Sequence, residues 1–143
     1  IGDSVMVVYG APQKLEDHEI ISVRCAIGMR EKLKELNTKW DKTEFSRYWK
    51  NHGINEITAR TGIHTGSVIA GNIGSDRMLQ YSTIGDTVNV ASRLEQKNKD
   101  FDTDILFSQK IYTSLTKDLY DQAKYQGEVS LKGRDTKTRT YSI

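Results

Sequence analysis

The sequence predicts an α+β fold, and three observations carry that reading. Strand-like apolar runs alternate with helix-like runs along the chain, two strand patterns meet at a Thr65-Gly66 turn, and two more flank Gly133-Arg134-Asp135 with no helix between them. Interleaving with hairpins points to an α+β or split βαβ arrangement, a mixed sheet flanked by helices, rather than a doubly wound parallel sheet. At 143 residues the chain suits one ordinary domain with its own core.

Val5-Met6-Val7-Val8-Tyr9, bounded by Gly2-Asp3 and Gly10-Ala11-Pro12, reads as a strand buried on both faces. Asp17 is positioned as an N-cap. Behind it Ile21, Cys25, Met29, Leu33, Leu36 and Trp40 recur at spacings of four and three, one face of a long amphipathic helix. Residues 41–55 have no clean period and read as a polar connection. Ile57, Ala59, Thr61 and Ile63 alternate with other residues, then Thr65-Gly66 turns the chain into Val68-Ile69-Ala70, a hairpin with glycines at its tip. A Gly/Ser/Asp loop at 71–77 leads to a strand over 79–84. Asp86 is placed to cap a helix from about Thr87 to Gln96, with Val90 and Leu94 inward. Ile105-Leu106-Phe107 is a strand. Ser108 then caps a helix carrying Ile111, Leu115 and Leu119, and strands near 128–132 and 139–143 close the chain.

Lys and Arg number 21 against 19 Asp and Glu, a net charge of +2 with mixed signs and no basic stripe. Binding to duplex DNA is therefore not expected. Apolar residues make up 36% of the chain. Counted with Gly and without Tyr, the share is about 39%, below the ~45–50% of typical domains. So lean a core predicts either a missing piece or a partner surface. A single proline and periodic apolar blocks argue against disorder. The lone Cys25 excludes an intrachain disulfide and reads as a small buried hydrophobe. No apolar run approaches the ~18 residues of a membrane span, and no signal-peptide pattern is present. Because Ile1-Gly2-Asp3 leads straight into an apolar run without Met, a natural N-terminus further upstream is expected.

Nucleophile elbows, Walker loops, dinucleotide fingerprints, paired-cysteine sites and HExxH are all missing from the sequence. Gly71-Asn72-Ile73-Gly74 fits the bare G-x-x-G of KH loops, a pattern too short to outweigh a plain turn. Asn89 and Arg93 stand four apart, so they project from one helix face, away from that of Val90 and Leu94. A guanidinium suits a phosphate carrying developing charge, and an amide can hold a sugar; a solvated helix face is the plainer alternative. Asp3, at the head of an apolar run, needs water, a cation or a turn donor.

Taken together, Ile1-Gly2-Asp3-Ser4-Val5-Met6-Val7-Val8-Tyr9-Gly10, Thr61-Gly62-Ile63-His64-Thr65-Gly66, Gly71-Asn72-Ile73-Gly74-Ser75, the run from Tyr81 to Glu95 (YSTIGDTVNVASRLE) and Leu131-Lys132-Gly133 occur in an order that resembles the class III nucleotidyl cyclase catalytic domain. Resemblance covers almost the whole chain and is weakest over 41–55. It implies a ferredoxin-like split βαβ core. The family's opening unit, a strand with the first metal-binding Asp and its helices, lacks a counterpart here.

The resemblance also implies a chemistry. Asp3 resembles one of two carboxylates that hold a pair of Mg²⁺ or Mn²⁺ ions. Arg93 resembles the residue that stabilises the α-phosphate, Asn89 the one that orients the ribose, and Lys132 the lysine that holds the terminal phosphates. Ser82, after Tyr81, occupies the position of the base selector. Guanylyl cyclases usually carry Cys there, and adenylyl cyclases carry Asp or, in one subgroup, Thr. Its hydroxyl implies an adenylyl cyclase that makes cyclic AMP and pyrophosphate from ATP. Guanylyl cyclase and a silent cyclase-like dimerisation module are the alternatives. Family sites lie between two head-to-tail domains, so a homodimer is implied. A regulatory domain upstream and a cytoplasmic location, with or without a membrane anchor on the full-length protein, follow from the same resemblance.

Overall fold

The computed structural model describes residues 3–75, 78–130 and 137–143. Helix α1 (His18–Lys42) opens the ordered elements, and a one-turn α2 (Arg47–Lys50) follows. Strands β1 (Thr61–Ile63), β2 (Ile69–Ser75) and β3 (Met78–Ile84) lead into α3 (Asp86–Phe101). Then come β4 (Ile105–Ser108), the short α4 (Gln109–Tyr112) and α5 (Lys117–Tyr120), β5 (Lys124–Ser130) and β6 (Lys137–Ser142). A four-stranded mixed sheet has the order β1-β4-β6-β5, and β2 with β3 forms a separate antiparallel ribbon. The α+β class holds.

Strand β4 explains why the sheet is covered on both sides. Its Ile105, Leu106 and Phe107 are all essentially buried. Ile105 and Phe107 pack with Val23 and Ala26 of α1, Ile63, Ile111, Leu119 and Tyr141. Leu106 points the other way, to Val90 and Leu94 of α3 and Val129 of β5. Alternation along a strand thus divides one apolar tripeptide between two cores. The inward placement of Val90 and Leu94 is as expected.

Several expectations are corrected. Val5–Tyr9 is not a buried strand: the segment forms no strand, and Val5, Met6 and Val7 are all exposed, Val5 at 81%. An extended apolar run becomes a strand only with a hydrogen-bonding neighbour, and none of the described strands pairs with it. The hairpin expected over 57–70 does not form. Instead β1 pairs in parallel with β4, with Gly62 beside Leu106, and β2 pairs with β3. Among the described residues β1 and β4 are parallel neighbours, joined in sequence through the β2–β3 ribbon and α3. Residues 71–75, including the G-x-x-G run, lie within β2 rather than in a loop. Pairing over the full length of β3 wins over the turn tendency of the glycines, since each unpaired amide would cost a hydrogen bond.

In α1, the buried positions are Ser22, Val23 and Ala26, while Ile21 and Met29 of the expected stripe are exposed. Ile20, Val23 and Ile27 form a second apolar stripe, and that one meets the sheet. Cys25 is accordingly exposed, not buried. Asp17 adopts a left-handed conformation with no side-chain cap bond. Asp86 is the first residue of α3, and Gly85 occupies the cap position. The helix expected from Ser108 to Leu119 breaks into α4 and α5. Thr113 and Ser114 hydroxyls donate to the Lys110 carbonyl, and Thr116 is extended ahead of α5. Such local bonds compete with helix continuation. The connection at 41–55 is less polar in space than in sequence, because Trp40, Phe45, Tyr48 and Trp49 contact one another edge to face.

Candidate functional site

Helix α3 is seated on β1 without a spacer. A Cβ on Gly62 would lie 2.1 Å from the Ala91 carbonyl oxygen and 2.2 Å from the Glu95 nitrogen, so only glycine permits this approach. At the C-terminal end of α3, buried Asn98 donates from Nδ2 to the Thr61 carbonyl at 3.0 Å and accepts from the Thr103 hydroxyl at 2.8 Å. The N-terminal end is held by Thr87, whose hydroxyl donates to the Ser67 carbonyl at 2.9 Å.

The segment after β1 is tied to three elements. His64 Nδ1 lies 2.7 Å from Ser108 Oγ, Thr65 donates to Glu19 Oε1 at 3.0 Å, and Ser67 receives the Thr87 bond. Sequence reasoning read His64-Thr65-Gly66 as a hairpin tip; in space it is the clamp that fixes the start of α3. Burial, and next the charge of Lys110, push the His64 imidazole down to about 4, against an opposing pull from Asp86. Near the start of the chain, burial and the Cys25 thiol push the Tyr9 phenol up to about 12.

With α3 fixed at both ends, Asn89 and Arg93 occupy its outward face. Asn89 is exposed and Arg93 partly so. Among the described residues, neither side chain has a hydrogen-bond or ion-pair partner. Ser82 sits on β3, the strand that feeds α3 through Gly85, opposite Gly71 of β2. By alternation it shares its ribbon face with Ile84 and with Ile69, the residue paired to Ile84. Both isoleucines are exposed, at 56% and 75%. The opposite ribbon face carries Thr83, whose hydroxyl donates to Met6 Sδ at 3.6 Å.

That contact locates the segment of Asp3. Met6, three residues after Asp3, thus meets the ribbon face opposite that of Ser82. Among the described residues, no hydrogen bond or ion pair joins Asp3 to Ser82, Asn89 or Arg93. The structure therefore brings Asn89 and Arg93 together, sets Ser82 at the root of their helix, and leaves Asp3 apart. Lys132, in the Leu131-Lys132-Gly133 stretch, lies outside the described residues. Among those described, no group of three acidic, His or Cys side chains could hold a metal, so Asp3 alone does not make a cation site. Nor is any described helix long and apolar enough to cross a membrane.

Residues 1–143 match the family model for the adenylate and guanylate cyclase catalytic domain. Similarity is 35% identity over 144 residues to adenylate cyclase 1 of Rhizobium meliloti, covering 99% of this chain and 20% of that protein. It is 32% over 148 residues to guanylate cyclase soluble subunit beta-2 of Rattus norvegicus, covering 100% of this chain and 19% of that one. The chain thus spans about a fifth of the length of these curated relatives. Among solved structures it resembles the adenylyl cyclase CyaB from P. aeruginosa, with a TM-score of 0.68 and 27% identity over 94% of this chain and 64% of that one. It also resembles the guanylyl cyclase Cya2, with a TM-score of 0.73 and 25% identity over 99% and 68%.

Proposed function

Because the chain belongs to the adenylate and guanylate cyclase catalytic domain family, we propose that it converts ATP to 3′,5′-cyclic AMP and pyrophosphate as part of a dimer. The observation that carries this reading is the open α3 face, where Asn89 and Arg93 stand four residues apart without partners among the described residues. In the reaction the ribose 3′-hydroxyl gives up its proton, its oxygen bonds to the α-phosphorus, and the bond from that phosphorus to the β-phosphate oxygen breaks. Negative charge builds on the α-phosphate oxygens, and Arg93 offers rigid donors to that charge. Asn89, one turn earlier, holds the ribose so that the 3′-oxygen stays aligned; intramolecular attack depends on that alignment. Ser82 presents a hydroxyl oxygen that accepts from the 6-amino group of adenine.

Asp3 is offered as one carboxylate of a site for two Mg²⁺ or Mn²⁺ ions. Its remaining ligands have to come from outside the described residues, and no step above is assigned to the ions. Lys132 is the proposed ligand of the terminal phosphates.

A cyclase assay of the full-length protein with Mn²⁺, supplied with ATP or with GTP, tests the reading. Cyclic AMP is the expected product, and Arg93→Ala should lower kcat by about 10²–10³-fold. Because Arg93 touches no described partner, the variant should melt with the wild type. Cyclic GMP as the main product would replace ATP with GTP. No product from either nucleotide would leave a silent module.

A further inference from the structure

Basic side chains converge on a cavity beside the four-stranded sheet. His64, Gln109, Lys110, Lys137, Thr138 and Arg139 line a cavity of about 330 Å³, a size within the range of small-molecule sites. Its walls come from three places in the sequence. His64 follows β1, Gln109 and Lys110 open α4, and Lys137 to Arg139 open β6. They are held in register by the Ser108–Thr140 pairing between β4 and β6 and by the His64–Ser108 hydrogen bond.

Its polar chemistry is one-sided. Among the described residues, Lys110 and Arg139 have no ion-pair partner, and Lys137 has only Glu128, at 4.0 Å. Among the described residues no carboxylate lines the cavity, and the one that bears on His64 is that of Asp86. Gln109 Oε1 already accepts from the Tyr141 hydroxyl at 2.7 Å, which leaves its amide NH₂ to donate. The His64 imidazole is kept neutral by burial. Its Nδ1 is engaged with the Ser108 hydroxyl at 2.7 Å. Two ammonium groups, a guanidinium and an amide thus surround a concave space. Such a set of donors selects a compact anion with many acceptor oxygens.

We propose that this cavity binds a pyrophosphoryl group through Lys110, Lys137 and Arg139. Free pyrophosphate and the β,γ end of a nucleoside triphosphate present the same chemistry. Only the second source rests on the cyclase reading.

Isothermal titration of the full-length protein with inorganic pyrophosphate, without divalent metal, tests the site directly. The expected result is saturable binding that Lys110→Gln and Arg139→Gln each weaken by about tenfold. Lys110→Arg should keep it, and Lys34→Gln, on α1 outside the cavity, should leave it unchanged. All three cations are exposed, so the variants should keep the wild-type melting curve. ATP competing with pyrophosphate, together with a raised KM in Lys110→Gln and Arg139→Gln, identifies the nucleotide tail. Weakened product inhibition at constant KM identifies free pyrophosphate. Absence of binding, undiminished binding by Lys110→Gln and Arg139→Gln, or loss of binding through Lys34→Gln alone overturns the proposal. Failure of the cyclase assay leaves the pyrophosphate titration as informative as before.

Discussion

His64 links the clamp on α3 to a measurable pH dependence. Its imidazole titrates near 4 in the folded chain against an ordinary value of 6.5. Between those two values the unfolded chain binds a proton at this position and the folded chain does not. Stability is therefore full above 6.5, falls as the pH drops through the window, and levels off below about 4. Asp41 and Asp100, held below their usual 3.8 by Lys50 and Lys97, act beneath this window, as does Asp118, held down chiefly by Thr116. Solvent reaches part of the ring, so the effect is smaller than a fully buried group would give. Urea unfolding at about pH 7 and about pH 5 should show the wild type losing more stability than His64→Asn. Equal losses would mean that the imidazole does not govern the acid side of the curve.

Gly62 sets the next scale, the seating of one element on another. Its missing Cβ would fall on backbone atoms of Ala91 and Glu95, and backbone cannot swing aside as a long side chain can. Gly62→Ala should force α3 away from β1, destabilise the fold by about 1–3 kcal/mol, and lower cyclase turnover by moving Asn89 and Arg93. A calorimetric melt checks the first effect and kcat the second. An unchanged melt would contradict the close approach. Much at this scale was legible in the chain itself. Val90 and Leu94 at i and i+4 face inward as their spacing requires, and Ile105-Leu106-Phe107 is a strand as its apolar run announces, covered on both faces in the structure. What could not be read was choice of partner. The alternation through Ile63 marks a strand but not its neighbour, and β1 joins β4 through a contact 44 residues away (His64 with Ser108) rather than the adjacent Val68-Ile69-Ala70. On α1 the sequence pointed to the stripe of Ile21, Cys25 and Met29, and the assembled sheet instead takes Ile20, Val23 and Ile27. Of the candidate site, Asn89 and Arg93 were visible as a spacing. The clamp of His64, Thr65 and Thr87 was not, because its partners are remote in sequence.

At the scale of the whole molecule, the lean apolar composition and the separated site residues point the same way. Ile69 and Ile84 form an exposed cross-strand pair on the ribbon face that carries Ser82. Exposed apolar pairs of this kind are costly unless covered. Met6, three residues after Asp3, contacts the other ribbon face through Thr83, and among the described residues no hydrogen bond or ion pair joins Asp3 to Ser82. In the proposed head-to-tail dimer, the second copy's Asp3 segment would supply the carboxylate, and its surface would cover Ile69 and Ile84. Two such sites would form in the proposed dimer, each using Asp3 from one copy and Asn89 and Arg93 from the other. In the full-length protein, Asp3→Ala and Arg93→Ala should each be inactive alone. A mixed dimer of the two places both lesions in one site and leaves the other intact. With random pairing half the dimers are mixed, so co-expression should restore about a quarter of wild-type activity. Adding Ile84→Glu to both chains should abolish that recovery and shift the sedimentation profile toward monomer. If the two variants stay inactive together while sedimenting as dimers, each site is built within a single chain and the composite arrangement is wrong.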